Sequence, residues 1–261
     1  MPRLNKIPVV ILCGGMGTRL VEYTEIKPKP LVEVGGKPIL WHIMKHYSAY
    51  GFNEFILALG YKGELIKRYF MDFYQLNQDI VITLSDGVIE TLTNSQAEPW
   101  KVSLINTGQP TLTGGRMKKL SSLLKNKPFL MTYGDGVSNV DLKKLLSFHK
   151  SHKGLATLTA VRPPARFGAL DFEGSQIRHF KEKSVLHEGW INGGYFVLEA
   201  EVLDYIKEDV MWEHEPMEQL AREGNLYAFK HDGFWQCMDT LRDLRYLEQL
   251  WDSGQVLWKT W

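Results

Sequence analysis

The run Val9–Val10–Ile11–Leu12–Cys13–Gly14–Gly15–Met16–Gly17–Thr18–Arg19–Leu20 decides the fold. An apolar stretch breaks into three closely spaced glycines, followed by Thr18 and Arg19. Glycine admits positive φ and lets backbone N–H groups come close to a ligand, and a strand-to-helix turn aims those donors at an anion. Arg19 adds a forked cation suited to phosphate. The stretch reads as a nucleotide phosphate cradle at the end of a buried strand. A dinucleotide fingerprint would need a third glycine where Leu20 stands, and an acid ending a strand about 20 residues on. A P-loop would end Gly-Lys-Ser/Thr rather than Gly-Thr-Arg. A tight turn that needs glycine for backbone reasons alone is the plain alternative.

The next segment, Ile26–Lys27–Pro28–Lys29–Pro30–Leu31, sets two lysines between prolines. Proline fixes φ and keeps the preceding residue extended, so this backbone is stiff and can hold a lysine over the same phosphates. Gly35–Gly36–Lys37–Pro38–Ile39–Leu40 then reads as a turn that launches a helix.

Apolar runs at 9–12, 55–59, 80–84, 102–105, 129–133, 155–161 and 195–198 read as strands. Their near-continuous hydrophobicity suits strands covered on both faces. Between them, 39–50, 63–74, 116–125 and 142–150 carry helical spacing. The alternation predicts an α/β protein, a three-layer α/β/α sandwich around a mostly parallel mixed sheet. Ligands in such sheets bind at the carboxyl ends of the strands, where the glycine loop lies. Residues 85–112 leave this rhythm as a polar excursion, and 166–183 reads as a small antiparallel insertion. With 44% hydrophobic and 12% aromatic residues and no linker or repeat, the 261 residues are expected to form a single domain, 1–261.

A net charge of +1 speaks against a nucleic-acid partner, and the basic run Arg116–Met117–Lys118–Lys119 reads as helix surface. Nothing approaches the roughly 18 consecutive apolar residues of a membrane span. No signal region precedes the first strand, and two cysteines make no disulfide scaffold, so the expected location is cytoplasmic. His42 and His46, and His149 and His152, stand at metal-compatible spacings, but with no third ligand nearby they read as helix-face or partly buried histidines.

Asp135 follows the run 129–133 and lies between Gly134 and Gly136. A carboxylate at a strand's exit suits a hard cation near bound phosphates, and equally an ordinary Asp-Gly turn. Asp239 precedes a helix-like run, where a capping or first-turn acid is the simpler reading.

Together these motifs resemble the sugar-1-phosphate nucleotidyltransferases. The likeness runs from GGMGTRL and KPKPLVEVGGKPILWHI through GYKGELIKRYF, EPWKVSLINTG, TGGRMKKL and YGDGV. It continues in RFGALDF, FKEK, INGGYFVL, GFWQCMDTLRD and the closing LWKTW. The EPW, RFGALD and WKTW pieces are similar to the branch that uses CTP and glucose 1-phosphate. The resemblance implies Mg²⁺ held by Asp135 and Asp239, and Arg19, Lys29 and Lys183 as the catalytic cations. It implies a nucleotide site of Leu12, Cys13, Gly14, Gly15, Met16, Gly17, Thr18, Arg19 and Lys29, with Thr107, Gly114 and Gly115 in the base-recognition stretch and Gly134 beside the metal. Glu182 and Lys183 would hold the sugar hydroxyls and the sugar phosphate, and Asn192 and Gly193 would complete the sugar pocket. It also implies a homo-oligomer. The chain departs from the pattern at Cys13, Glu22 and Ser184, and Cys13 is expected to sensitise the loop to thiol reagents.

Overall fold

In a computed structural model, residues 7–92, 98–163, 169–173, 176–181 and 189–261 are described, 169–173 and 177–181 by backbone alone. Seven strands form the central sheet: β1 Val9–Cys13, β2 Glu54–Leu59, β3 Lys101–Asn106, β4 Phe129–Tyr133, β5 Ala156–Val161, β6 Ile191–Leu198 and β7 Leu226–His231. Their order across the sheet is β7-β5-β6-β4-β1-β2-β3. β1 pairs in parallel with both β2 and β4, β2 with β3, and β5 with β7. β6 alone runs against its neighbours β4 and β5, so the sheet is mixed and mostly parallel, as expected.

Alternation along β1 explains the three layers. Val9, Ile11 and Cys13 face one core with α1 (Ile39–Ala49), α2 (Gly63–Leu76), α4 (Leu142–Ser151) and α6 (Leu241–Asp252). Val10 and Leu12 face the other, built with α3 (Thr113–Lys119) and α5 (Glu215–Arg222). Both faces of β1 are fully buried, which is why its sequence shows no polar alternation.

Three expectations need correction. The run 80–84 is not a core strand: Ile80–Thr83 pairs antiparallel with Val88–Thr91 in a separate hairpin exposed throughout 81–92. Among the described residues, no helix follows it to carry a crossover. Instead Asp86 accepts from the Val88 N–H and Gly87, at φ +74°, folds the chain straight back. The helix expected at 116–125 begins at Thr113 and breaks at Leu120 into α3 and a short turn, Ser121–Leu124. Within it, Arg116 and Met117 are buried rather than on the surface. The insertion near 166–183 does contain an antiparallel pair, Ala169–Glu173 with Gln176–Lys181.

The closing LWKTW segment is fastened to α1 through a histidine. His42 bonds Val34 O at 2.8 Å through Nε2 and accepts from the Trp258 indole at 3.3 Å through Nδ1, which fixes the neutral Nε2–H tautomer. Trp251 of α6 sits where a side chain at Gly35 would reach, at φ +58°, so the turn before α1 has to be glycine. Burial pushes the His42 imidazole down to about 4 and that of His46 to about 3. Between pH 6.5 and those values the unfolded chain binds the protons and the native protein does not, so stability is full above pH 6.5 and falls as pH drops. From pH 7 to pH 5, His42 alone is expected to remove about 2 kcal/mol. Urea unfolding at the two pH values checks this, and equal midpoints would contradict it.

Candidate active site

A cleft of about 330 Å³ opens at the carboxyl ends of β1 and β4. Leu12, Cys13, Gly14, Gly15, Gly17, Thr18, Arg19, Lys29, Gly134 and Asp135 line it, together with Pro30, Thr111, Leu112, Thr113, Arg116, Tyr133 and Met211. Gly17 takes φ +64° as the cap of a 3-10 turn, Thr18–Leu20, where a Cβ would strike the Thr24 methyl. The Thr24 hydroxyl lies 3.2 Å from Gly17 O and 3.1 Å from Leu20 O, which locks the loop in that shape. Met16 is exposed and lies off the lining.

The loop rests on a guanidinium. Arg116, only 4% exposed, donates to Gly14 O, Leu59 O, Gly108 O, Gln109 O and Thr107 Oγ1. A Cβ on Gly14 would lie 2.0 Å from the Arg116 guanidinium carbon, so this glycine is needed for close approach. The sequence reading missed Arg116 because three cations in four residues look like a solvated helix face. The Thr107 hydroxyl is spent inside this network, donating to Leu59 O at 2.7 Å, and does not line the cleft. Gly114 and Gly115 open α3 against the 209–212 segment: a Cβ would lie 2.7 Å from Val210 O or 1.9 Å from Asp209 Oδ1. On the same wall Glu213 accepts from the Tyr133 hydroxyl and, at 2.6 Å, from that of Thr113. Burial and the Glu213 charge hold Tyr133 in its protonated, donating form.

Two aspartates more than 100 residues apart in sequence meet at one lysine. The Lys29 ammonium lies 2.6 Å from Asp135 Oδ2 and 2.5 Å from Asp239 Oδ1, and Arg19 lies 2.9 Å from Asp239 Oδ2. A short ladder brings them together: Gly136–Ser138 pairs with Trp235–Cys237, and the Met238 N–H donates to Asp135 O. The helix-cap reading of Asp239 is displaced by its neighbours, since Thr240 caps α6 and Asp243 closes a capping box. Asp239 is not among the residues that line the cleft; it meets Lys29 and Arg19, which are. Lys27 pairs instead with Glu33 at the surface. Burial opposes the Lys29 charge, but the Asp135 and Asp239 carboxylates more than restore it and raise its pKa. Burial raises Asp239, yet its bond to Lys29 and the nearby Lys29 and Arg19 charges carry it below the usual range.

Burial and the Asp135 charge push the Cys13 thiol well up, so it is an inert wall residue rather than a reactive one. Asn192 and Gly193 begin β6 outside the cleft lining. Asn192 accepts from the Gly194 N–H, and Gly193 O accepts from the Trp235 indole beside the aspartate ladder. Glu182 and Lys183 lie outside the described residues. The histidine pairs hold no metal-binding cluster among the described residues: His149 and His152 both bond the Thr157 hydroxyl, and His46 bonds that of Thr260.

The cleft therefore offers backbone donors at a glycine loop, two cations and two convergent carboxylates. This set is suited to a polyphosphate and a hard cation. The family model described as "Nucleotidyl transferase" matches residues 8–250. The chain is 51% identical over 254 residues to glucose-1-phosphate cytidylyltransferase of Salmonella typhi, covering 97% of this chain and 98% of that one. It is 45% identical to the probable glucose-1-phosphate cytidylyltransferase of Bacillus subtilis, covering 97% and 99%. Among solved structures, HddC from Yersinia pseudotuberculosis superposes with a TM-score of 0.67 at 25% identity, over 94% of this chain and 99% of that one. With a family model matched over nearly the whole chain and relatives half identical across it, the chain belongs to the nucleotidyl transferase family.

Proposed function

We propose that the protein transfers CMP from CTP to glucose 1-phosphate, giving CDP-glucose and pyrophosphate. The observation that carries this reading is the Asp135–Lys29–Asp239 cluster at the mouth of the glycine-loop cleft, in a chain half identical over nearly its whole length to the Salmonella enzyme. An oxygen of the sugar phosphate attacks the α-phosphorus in line, and the bond from that phosphorus to the β-phosphate oxygen breaks. A phosphate monoester has a second pKa near ~6, so the nucleophile is already ionised at pH 7 and needs no base. The chain's task is alignment and neutralisation of charge. The backbone of 12–17 cradles the triphosphate, and Arg19 and Lys29 reach its outer phosphates. Thr107, Gly114 and Gly115 shape the wall towards the base, and Gly134 passes close to the nucleotide. Glu182 and Lys183 hold the sugar hydroxyls and its phosphate, and Asn192 and Gly193 close the sugar pocket.

Asp135 and Asp239 fit a magnesium ion. Their oxygens already converge on one cationic atom, and two carboxylates leave the remaining positions to water and phosphate, as Mg²⁺ prefers. When bound, such an ion supplies charge neutralisation on the phosphate oxygens. Pyrophosphate release with glucose 1-phosphate and Mg²⁺, comparing CTP, UTP and dTTP, tests the reading. Release with CTP is expected, and release with UTP or dTTP instead would overturn the choice of base.

We further propose that the protein is a homo-oligomer assembled through the hairpin Ile80–Thr83 and Val88–Thr91. Two-stranded hairpins are marginal in water, yet this one leaves Val81, Ile82, Val88 and Ile89 exposed. Trp41, Phe70, Phe73 and Trp100 line an open groove of about 400 Å³ that is shaped to receive the same hairpin of a second copy. Ile82 and Ile89 are direct cross-strand partners. Replacing both with Glu is expected to shift the sedimenting species to monomer, and an unchanged species would remove the hairpin from the interface. The cytoplasm suits such a protein, since both its cysteines are free and its substrates are intracellular phosphates.

A further inference from the structure

We propose that Lys29 stands in for the divalent cation between Asp135 and Asp239 in the free protein, so that the metal position opens only when a polyphosphate draws Lys29 away. The inference rests on the reading of these two aspartates as metal ligands.

The geometry is that of a competitor rather than a neighbour. One ammonium meets Asp135 Oδ2 at 2.6 Å and Asp239 Oδ1 at 2.5 Å. A magnesium ion bound to those oxygens would sit about 2.1 Å from each. An ammonium and a dication cannot share the pair at such distances without direct charge repulsion. Nor does Asp239 offer a spare side, because Arg19 already holds its Oδ2 at 2.9 Å. Arg19 is the weaker of the two brakes, with a side chain 71% exposed, whereas that of Lys29 is 11% exposed.

Lys29 is also built to move at its tip alone. Its backbone opens the short turn Lys29–Leu31, with Pro28 before it and Pro30 after it. The Leu31 N–H donates to Pro28 O and the Val32 N–H to Lys29 O, so the main chain is pinned. The stem leaves against the glycine loop, 3.3 Å from where a Gly17 Cβ would lie. Lys29 and the loop line one cleft, so rotation of the outer carbons carries the ammonium from the carboxylates to the space where phosphates would lie. The free protein thus keeps its facing carboxylates neutralised, and a polyphosphate offers Lys29 a richer anionic partner. The metal then arrives with the nucleotide or after it.

Binding of Mn²⁺, followed by electron paramagnetic resonance without turnover, tests this. In the absence of nucleotide, Lys29→Met is expected to bind Mn²⁺ about tenfold more tightly than the wild type, since a unit charge a few ångströms away in a partly exposed site is worth at least that factor. The gain should vanish in the double variant with Asp135→Asn. Equal nucleotide-free affinities of wild type and Lys29→Met would overturn the inference while leaving the metal reading intact, provided Mn²⁺ still binds in the presence of CTP. No Mn²⁺ bound at Asp135 even with CTP would overturn both. A second measurement needs no variant. The ¹⁵N-labelled Lys29 ammonium resonance should be unmoved by millimolar Mg²⁺ alone and shifted by CTP alone, and the reverse order of response would sink the proposal.

Discussion

Asp135→Asn is expected to lower the rate of pyrophosphate release by on the order of 10³-fold. The same change should shift the thermal unfolding midpoint by no more than about 3 °C. The two effects separate because the substitution removes charge and almost nothing else. An asparagine in this place keeps the size of the side chain and an oxygen for the Lys29 ammonium, which lies 2.6 Å from the native carboxylate. The backbone bond from Met238 to Asp135 O, which holds the two aspartate segments together, does not involve the side chain. The Asp135 side chain is also about one-third exposed, so its charge contributes little to folding. In the cleft the balance differs. Lys29 and Arg19 face Asp135 and Asp239, and removing one carboxylate leaves a net positive site with half its ligands for a hard cation. A steady-state assay beside a thermal melt decides. Turnover near that of the wild type would remove Asp135 from the mechanism, and a large fall in melting temperature would recast it as a structural residue.

What could be read from the sequence follows from how local each requirement is. The glycine loop was legible because positive φ at Gly17 and close approach at Gly14 are demands that the chain satisfies within a few residues. That this segment holds a lysine rigidly was legible because its prolines fix the backbone, whereas the choice of Lys29 over Lys27 was implied only by the family resemblance. The sheet was legible where a strand is buried on both faces, as in β1, and illegible at 80–84. That apolar run is as continuous as a core strand, yet Gly87 turns it straight back into a local hairpin. The meeting of Asp135 with Asp239 could not be derived, because it depends on a three-residue ladder between strands about 100 positions apart. Only the family resemblance implied it. The Thr107 hydroxyl shows the converse: a residue placed in the nucleotide site by resemblance spends its hydroxyl on Leu59 O and Arg116, and so acts on the cleft through its wall.

Arg116 was the largest omission, and Arg116→Met is expected to destabilise the native state by about 2 kcal/mol: Gly14 O keeps the Tyr61 N–H and Leu59 O keeps Thr107, while Gly108 O and Gln109 O lose the guanidinium, and a buried acceptor left without a donor costs roughly 1–3 kcal/mol. One guanidinium serves carbonyls from three strand ends: Gly14 after β1, Leu59 of β2, and Gly108 and Gln109 after β3. Methionine matches its length but offers no donor. Lysine keeps the charge, yet its compact ammonium cannot span sites set by a planar fork, so Arg116→Lys should recover only part of the loss. The penalty falls where the nucleotide would bind, because Gly14 lies directly against the guanidinium. CTP affinity should therefore fall even at temperatures where the Arg116→Met protein remains folded. A solvated arginine in a run of surface cations would behave otherwise, with a change within about 0.5 kcal/mol. Urea unfolding of the two variants distinguishes these cases. Stability near that of the wild type in both would mean that the three loops hold their own shape and that Arg116 merely occupies the space between them.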